Sequence, residues 1–240
     1  MKERLQKVLA RAGICSRRKA EAHILAGRVR VDGEIVATLG VKVDPACQQI
    51  EFDGQPVRLP EEKVYLLLNK PQGVVCTLHD PQGRPTVVSL LAGVSQRVFP
   101  VGRLDVDTEG ALILTNDGAF AHRILHPRFE IPRTYRAVIR GVPKASALDR
   151  LRHGVLIDGR RTHPAKVRIV RRLAGGCELE MTIHEGRKRQ VRKMCAAVGH
   201  PVVFLRRIAY GGLALEGLPV GRYRMLSPQE RARVFRKDRW

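Results

Sequence analysis

The chain has 240 residues, 44% of them hydrophobic, enough for one large or two modest packed cores, which excludes a disordered tail. Its 44 Lys and Arg against 23 Asp and Glu give a formal net charge of +21, so the expected partner is a polyanion, because phosphate neutralisation with counterion release drives such binding. No apolar run approaches membrane-spanning length and no signal-peptide pattern opens the chain, so nucleic acid is favoured over anionic membrane and a cytoplasmic setting is expected.

In chain order, Leu5, Val8, Leu9 and Ala12 mark an amphipathic helix that Gly13 ends. Ser16 caps a second helix running from Arg17 to Ala26, closed by Gly27. Val29, Val31, Ile35 and Val36 flank an Asp32-Gly33 turn suited to a tight hairpin. Arg17, Arg18 and Lys19 put three positive charges where the helix dipole is already positive, a conflict that an anionic partner removes. With Gly27-Arg28-Val29, this segment resembles the S4 domain, an RNA-binding module named after a small-subunit ribosomal protein. His23 stands where an apolar or acidic residue is more common. The resemblance implies that Arg17, Arg18 and Lys19 grip phosphates without reading bases.

Residues 55–62, with Pro56, Pro60 and two glutamates, read as a linker, dividing the chain into residues 1–60 and 61–240. Beyond it, strands are expected at Val64–Leu68, Ala111–Thr115, Tyr135–Ile139, Ala165–Val170 and Cys177–Ile183. Helices are expected at 117–125, 144–153, 187–198 and 228–237. Many strands without regular βαβ order point to an α+β fold with a mixed, mostly antiparallel sheet flanked by helices.

The segment from Val101 to Gly110 sets Asp105, Asp107, Glu109 and Arg103 in a glycine-bounded loop ahead of the apolar run Ala111–Leu114. As a calcium loop it fails, because Asn116 falls where the closing Glu belongs. As an Asp-x-Asp-x-Thr phosphatase motif it is weak, because Thr108 comes one residue early. Gly102-Arg103-Leu104-Asp105, Asp107-Thr108-x-Gly110 and Leu114-Thr115-Asn116-Asp117-Gly118 closely resemble the catalytic motif of the ribosomal RNA pseudouridine synthases of the RsuA/RluB group. Arg133-Thr134-Tyr135, the run Ile183-His184-Glu185-Gly186-Arg187-Lys188-Arg189-Gln190-Val191-Arg192-Lys193-Met194 and Val198-Gly199-His200-Pro201 extend the match over nearly the whole chain. Arg133 stands where the family more often has Lys.

The resemblance implies an eight-stranded mixed sheet with RNA bound across a central cleft, and an isomerase that needs no metal or organic cofactor. By the same resemblance Asp105 is the catalytic aspartate, acting either as nucleophile or as general base on a sugar proton. Arg103 fills the gap left by a flipped nucleotide and is expected to face away from Asp105, toward the RNA. Tyr135 packs on the uracil and Val191 helps to wall it. Arg192 pairs with Asp105 and holds it ionised. Arg187, Lys188, Arg189 and Lys193 read as phosphate contacts or solvated charge. Val191, Met194, Cys195 and Val198 share the buried helix face.

Leu125-His126-Pro127, Pro132–Tyr135 and Ala165-Lys166-Val167 look most like the large-subunit enzymes, so large-subunit ribosomal RNA is the expected substrate and the chain is expected to act as a monomer. The rivals are the sister enzyme acting on small-subunit RNA and a non-catalytic ribosome-assembly factor that kept the fold. Five cysteines at 15, 47, 76, 177 and 195, never spaced as C-x-x-C, suggest neither a disulfide framework nor zinc and read as reduced, mostly buried thiols.

Overall fold

The computed structural model describes residues 2–60 and 62–236, and these fall into two compact units. One contains the residues up to Val64 together with Val94–Arg97 and Asn116–Gly118; the other contains Tyr65–Gly93, Val98–Thr115 and the described residues from Ala119 onward.

In the first unit a short strand, β1 (Glu3–Arg4), leads into helix α1 (Leu5–Arg11), whose Leu5, Val8 and Leu9 are buried. Gly13 turns the chain with φ +84°. Ser16 Oγ then accepts the Lys19 backbone N–H at 3.2 Å and caps α2 (Arg17–Leu25), where Ala20 and Ile24 are buried. Strands β2 (Val29–Val31) and β3 (Glu34–Ile35) form a hairpin across Asp32 and Gly33, both with positive φ, as a two-residue turn requires. Strand β4 (Lys42–Val43) pairs with β1, and β5 (Ile50–Phe52) pairs with both β2 and β6 (Gln55–Pro56). The expected linker therefore begins as an edge strand, a position that tolerates Pro56. Leu5, Leu9, Ile24, Val29, Val43 and Ile50 make the core.

The second unit is built on a nine-stranded sheet rather than the eight strands expected. Its elements in chain order are β7 (Tyr65–Lys70), β8 (Phe99–Pro100), β9 (Glu109–Thr115), α3 (Gly118–Leu125), β10 (Arg133–Arg140) and α4 (Ala145–His153). There follow the separate hairpin β11 (Leu156–Ile157) and β12 (Arg160–Arg161), then β13 (Lys166–Leu173), β14 (Gly176–Ile183) and α5 (Gln190–Ala197). Last come β15 (Val202–Tyr210), β16 (Leu213–Ala214), β17 (Tyr223–Met225) and α6 (Pro228–Arg233); residue 237, the end of the expected last helix, lies outside the described residues. The spatial order is β13-β14-β10-β15-β9-β7-β17, with β16 on β15 and β8 on β9. Every pairing is antiparallel except β9 with β15 near the middle, so the sheet is mixed and mostly antiparallel.

Two apolar clusters fill this unit. Leu151, Val191, Met194 and Cys195 from α4 and α5 pack against Tyr135, Ala137, Leu179, Met181 and Leu205 of the sheet. Phe120, Ala121 and Ile124 of α3 join Leu67, Ile113, Tyr210 and Val234 in the second. Each fully buried Leu, Ile, Val or Met among them contributes about 1.5–3 kcal/mol, which anchors the helices that border the site. The expected helix over 187–198 starts only at Gln190, because Arg189 adopts φ +55° and breaks the helical path.

Candidate active site

Strands β8 and β9 pair as Phe99↔Thr115 and Pro100↔Leu114, so residues 101–108 form the loop that joins them. The Val101 N–H donates to Ile113 O at 2.7 Å, and Gly102 follows with φ +77°. The Leu104 N–H donates to Cys76 Sγ at 3.3 Å, and Thr108 N–H closes a turn onto Asp105 O at 3.1 Å. Gly110 has φ +108°, and a Cβ there would sit 2.1 Å from Arg207 O on the parallel neighbour β15. Only glycine lets the loop re-enter the sheet at this joint.

Lys70, at the end of β7, is fully buried and holds the loop from beneath. Its Nζ donates to Pro71 O at 2.8 Å, Thr108 O at 3.0 Å and Asp105 O at 3.2 Å. Burial lowers its pKa, an effect opposed by Cys76 and by the carboxylates of Asp105, Asp107 and Glu109. A lysine closing an apolar strand reads as a solvated terminus, so the sequence offered no signal for this role.

The Asp105 carboxylate makes no hydrogen bond among the described residues, and its nearest cation is Arg189 Nη1 at 4.0 Å. The expected Arg192–Asp105 pair is a correction. Arg192 Nη2 donates to Asp107 O at 2.7 Å and lies 3.3 Å from the Asp107 carboxylate. Its other group, Nη1, reaches Val202 O at 3.4 Å. Arg189 grips the Asp107 carboxylate with both terminal nitrogens, at 3.0 and 2.8 Å, a fork that the left-handed backbone at Arg189 aims at the loop. Arg189, read from sequence as a phosphate contact, is thus the missed partner. Hydrogen bonding from Arg189, then the charges of Arg192 and Arg189, hold the Asp107 carboxyl below its ordinary pKa against the opposing effect of burial.

Asp105 opens into a cleft of about 500 Å³, a size that accepts a small molecule or one nucleotide base. Leu104, Tyr135 and Val191 reach it from one apolar cluster, Ile124 and Tyr210 from the other. The structure therefore brings Asp105, Tyr135, Val191 and Arg103 together. Arg103 does not face away from Asp105: both line the cleft, as side chains two apart do on extended backbone. Arg133, Arg187, Lys188, Arg189 and Arg207 add positive charge to the walls, against Asp105, Glu130 and Glu185. Arg207 is a second buried cation that the sequence reading missed; it is 2% exposed and lies opposite Tyr135 in the strand register. Tyr135 is itself buried and its Oη accepts from Arg207 Nη1 at 3.5 Å.

The remaining candidates separate. Lys188 is exposed and free to meet a phosphate. Arg187 instead donates to Arg160 O at 2.9 Å, Arg161 O at 2.6 Å and Glu185 at 3.0 Å, so it fastens the loop before α5 to β12. Lys193 pairs with Asp158 in the β11–β12 turn. Arg17, Arg18 and Lys19 are exposed on the first turn of α2, in the other unit. Among the described residues no group of three or more His, Cys, Asp or Glu could hold a metal ion, and no helix is long and apolar enough to cross a membrane. The cysteines are free; Cys15, Cys177 and Cys195 are buried, whereas Cys47 is exposed.

A family model described as RNA pseudouridylate synthase matches residues 64–197, and the S4 domain model matches residues 3–47. The ribosomal large subunit pseudouridine synthase B of Bacillus subtilis (strain 168) is 46% identical over 234 residues, covering 97% of this chain and 95% of that protein. A protein of Aquifex aeolicus (strain VF5) named "Uncharacterized RNA pseudouridine synthase" is 46% identical over 237 residues, covering 98% of this chain and 95% of its own length. A crystal structure of a pseudouridylate synthase superposes with TM-score 0.69 at 34% identity, covering 96% of this chain and 99% of that one. With a family model matched over residues 64–197 and a relative 46% identical over 97% of the chain, this chain belongs to the RNA pseudouridine synthase family and carries an S4 domain at its N-terminal end.

Proposed function

We propose that this protein isomerises a uridine of large-subunit ribosomal RNA to pseudouridine in the cytoplasm, with Asp105 as the reacting carboxylate. The observation that carries the reading is the unbonded Asp105 carboxylate, which faces the same cleft as Tyr135 while the neighbouring Asp107 is occupied by two guanidiniums. The reaction breaks the bond from ribose C1′ to uracil N1, turns the base and joins C1′ to C5; the C5 proton leaves and N1 gains one. Nothing is added overall, so one carboxylate suffices where glycoside hydrolysis uses two. Asp105 acts either by attack or by taking a sugar proton. Tyr135 and Val191 receive the uracil, whose unstacking costs a few kcal/mol that Arg103 offsets by filling the gap. Lys188, exposed at the wall of the cleft, takes a flanking phosphate.

Residues 1–60 form the RNA-gripping module in this reading and residues 61–240 the catalytic one. The first carries 11 basic and 7 acidic side chains, the second 33 and 16, so both retain salt-sensitive affinity for RNA. The 46% identity to the Bacillus subtilis large-subunit enzyme favours the large-subunit target over the small-subunit one. Purified protein incubated separately with unmodified large- and small-subunit RNA, followed by pseudouridine mapping, tests this. Modification at one position of the large-subunit RNA is expected. Modification of the small-subunit RNA alone contradicts the target, and modification of neither contradicts the activity.

A further inference from the structure

Arg207 is the most completely buried cation facing the cleft, and its hydrogen bonding is unfinished. Its Nε donates to Ala111 O at 2.8 Å, Nη1 reaches Tyr135 Oη at 3.5 Å, and the guanidinium lies 4.2 Å from the Tyr210 ring centre. The Tyr210 hydroxyl donates in turn to Val101 O at 3.2 Å, at the entry to the Asp105 loop. Nη2 of Arg207 is buried and has no hydrogen-bond partner among the described residues. A guanidinium is donor-only and stays charged, so what would complete this site is an acceptor that carries or gains negative charge. A buried donor left unmatched costs about 1–3 kcal/mol, more when charged, which is a strong demand on whatever enters.

Resting on the isomerisation proposed above, we propose that Arg207 contacts the substrate: Nη2 donates to a carbonyl oxygen of the flipped uracil and stabilises the charge the ring takes up when its bond to ribose breaks. Cleavage of the N1–C1′ bond leaves the electron pair on uracil, spread over N1, C5, O2 and O4. Arg207 keeps its proton throughout and supplies only a fixed positive charge, and the pair is consumed when C5 bonds to C1′. Its place suits that work. It sits on the central strand β15, opposite Tyr135 of β10 and Gly110 of β9, so the sheet fixes its backbone beside the cleft and a turn of the side chain alone brings the buried Nη2 to the uracil. Cytosine has an amino donor in place of O4, so contact at that position would also select against cytidine.

The test uses full-length protein and follows pseudouridine formation by nucleoside chromatography in single turnover at saturating RNA. In Arg207→Gln that melts cooperatively, the expected result is a rate at least about tenfold below wild type with the RNA Kd within about twofold; Arg207→Lys, which keeps the charge, recovers part of the rate. A folded Arg207→Gln within about twofold of the wild-type rate overturns the inference. Should the variants not fold, wild-type protein is given RNA with 2-thiouridine or 4-thiouridine at the target, since sulfur is a poor acceptor. One of the two is expected to react about tenfold more slowly than uridine, and equal rates for all three overturn the inference. Wild-type protein that converts no uridine removes the parent reading and this one with it, whereas conversion that survives every perturbation removes this one alone.

Discussion

Arg189 stands between the two carboxylates of one loop, with Nη2 2.8 Å from Asp107 and Nη1 4.0 Å from Asp105. It is held on Asp107 with its other terminal nitrogen toward Asp105, so in the proposed mechanism its charge favours the ionised Asp105 without occupying the carboxylate. Arg189→Ala is expected to lower the saturated single-turnover rate about tenfold, and Arg189→Lys, which lacks the fork, to recover only part of that. An unchanged rate in Arg189→Ala contradicts the role.

Arg192 ties the loop to the start of β15 through Asp107 O and Val202 O. Arg192→Ala leaves those acceptors short of a charged donor and is expected to cost about 1–3 kcal/mol of stability in urea denaturation, along with a loss of rate. A loss of rate with unchanged stability instead points to direct contact with Asp105 or substrate.

Asp107 titrates with a pKa lowered chiefly by Arg189, so its contribution to stability is complete above the unfolded carboxylate value of about 3.9 and is lost as pH falls through the lower folded value. The gap in Tm between wild type and Asp107→Asn is therefore expected to be widest above about pH 5 and to close in more acidic solution. The side chain is 41% exposed, so the gap is modest and narrows with salt. A gap that grows toward acid contradicts the pairing.

Lys70→Met keeps the length of the side chain but removes the donor shared by Pro71 O, Asp105 O and Thr108 O. Relief of the buried charge offsets part of the damage, leaving an expected net loss of about 1–3 kcal/mol. The rate at a temperature where the variant is fully folded is expected to fall as well, because the Asp105 backbone loses its support. Wild-type stability and rate together contradict the clamp.

The loop from Val101 to Gly110 was legible in sequence because glycine spacing and carboxylates carry local information, and the alternation in Cys177–Ile183 announced β14 equally clearly. Strand β15 was not, because Arg206 and Arg207 interrupt an otherwise apolar run and no local rule says that a guanidinium can be buried against tyrosines. The same limit hid Lys70. The resemblance assigns Arg192 to Asp105, whereas in the fold Arg192 meets Asp107, and the left-handed turn at Arg189 sends that second guanidinium into the same loop. Pairings set by a single backbone angle are not written in hydrophobic periodicity.

The central claim rests on the Asp105 carboxylate, which Asp105→Asn replaces at nearly constant volume. The direct measurement is tritium release from large-subunit RNA labelled at uracil C5, run beside RNA binding by the same preparation. Wild-type protein is predicted to release one equivalent per RNA, and Asp105→Asn to release none while its Kd stays within about threefold. Release by Asp105→Asn at the wild-type rate contradicts the assignment of Asp105 and the mechanism built on it.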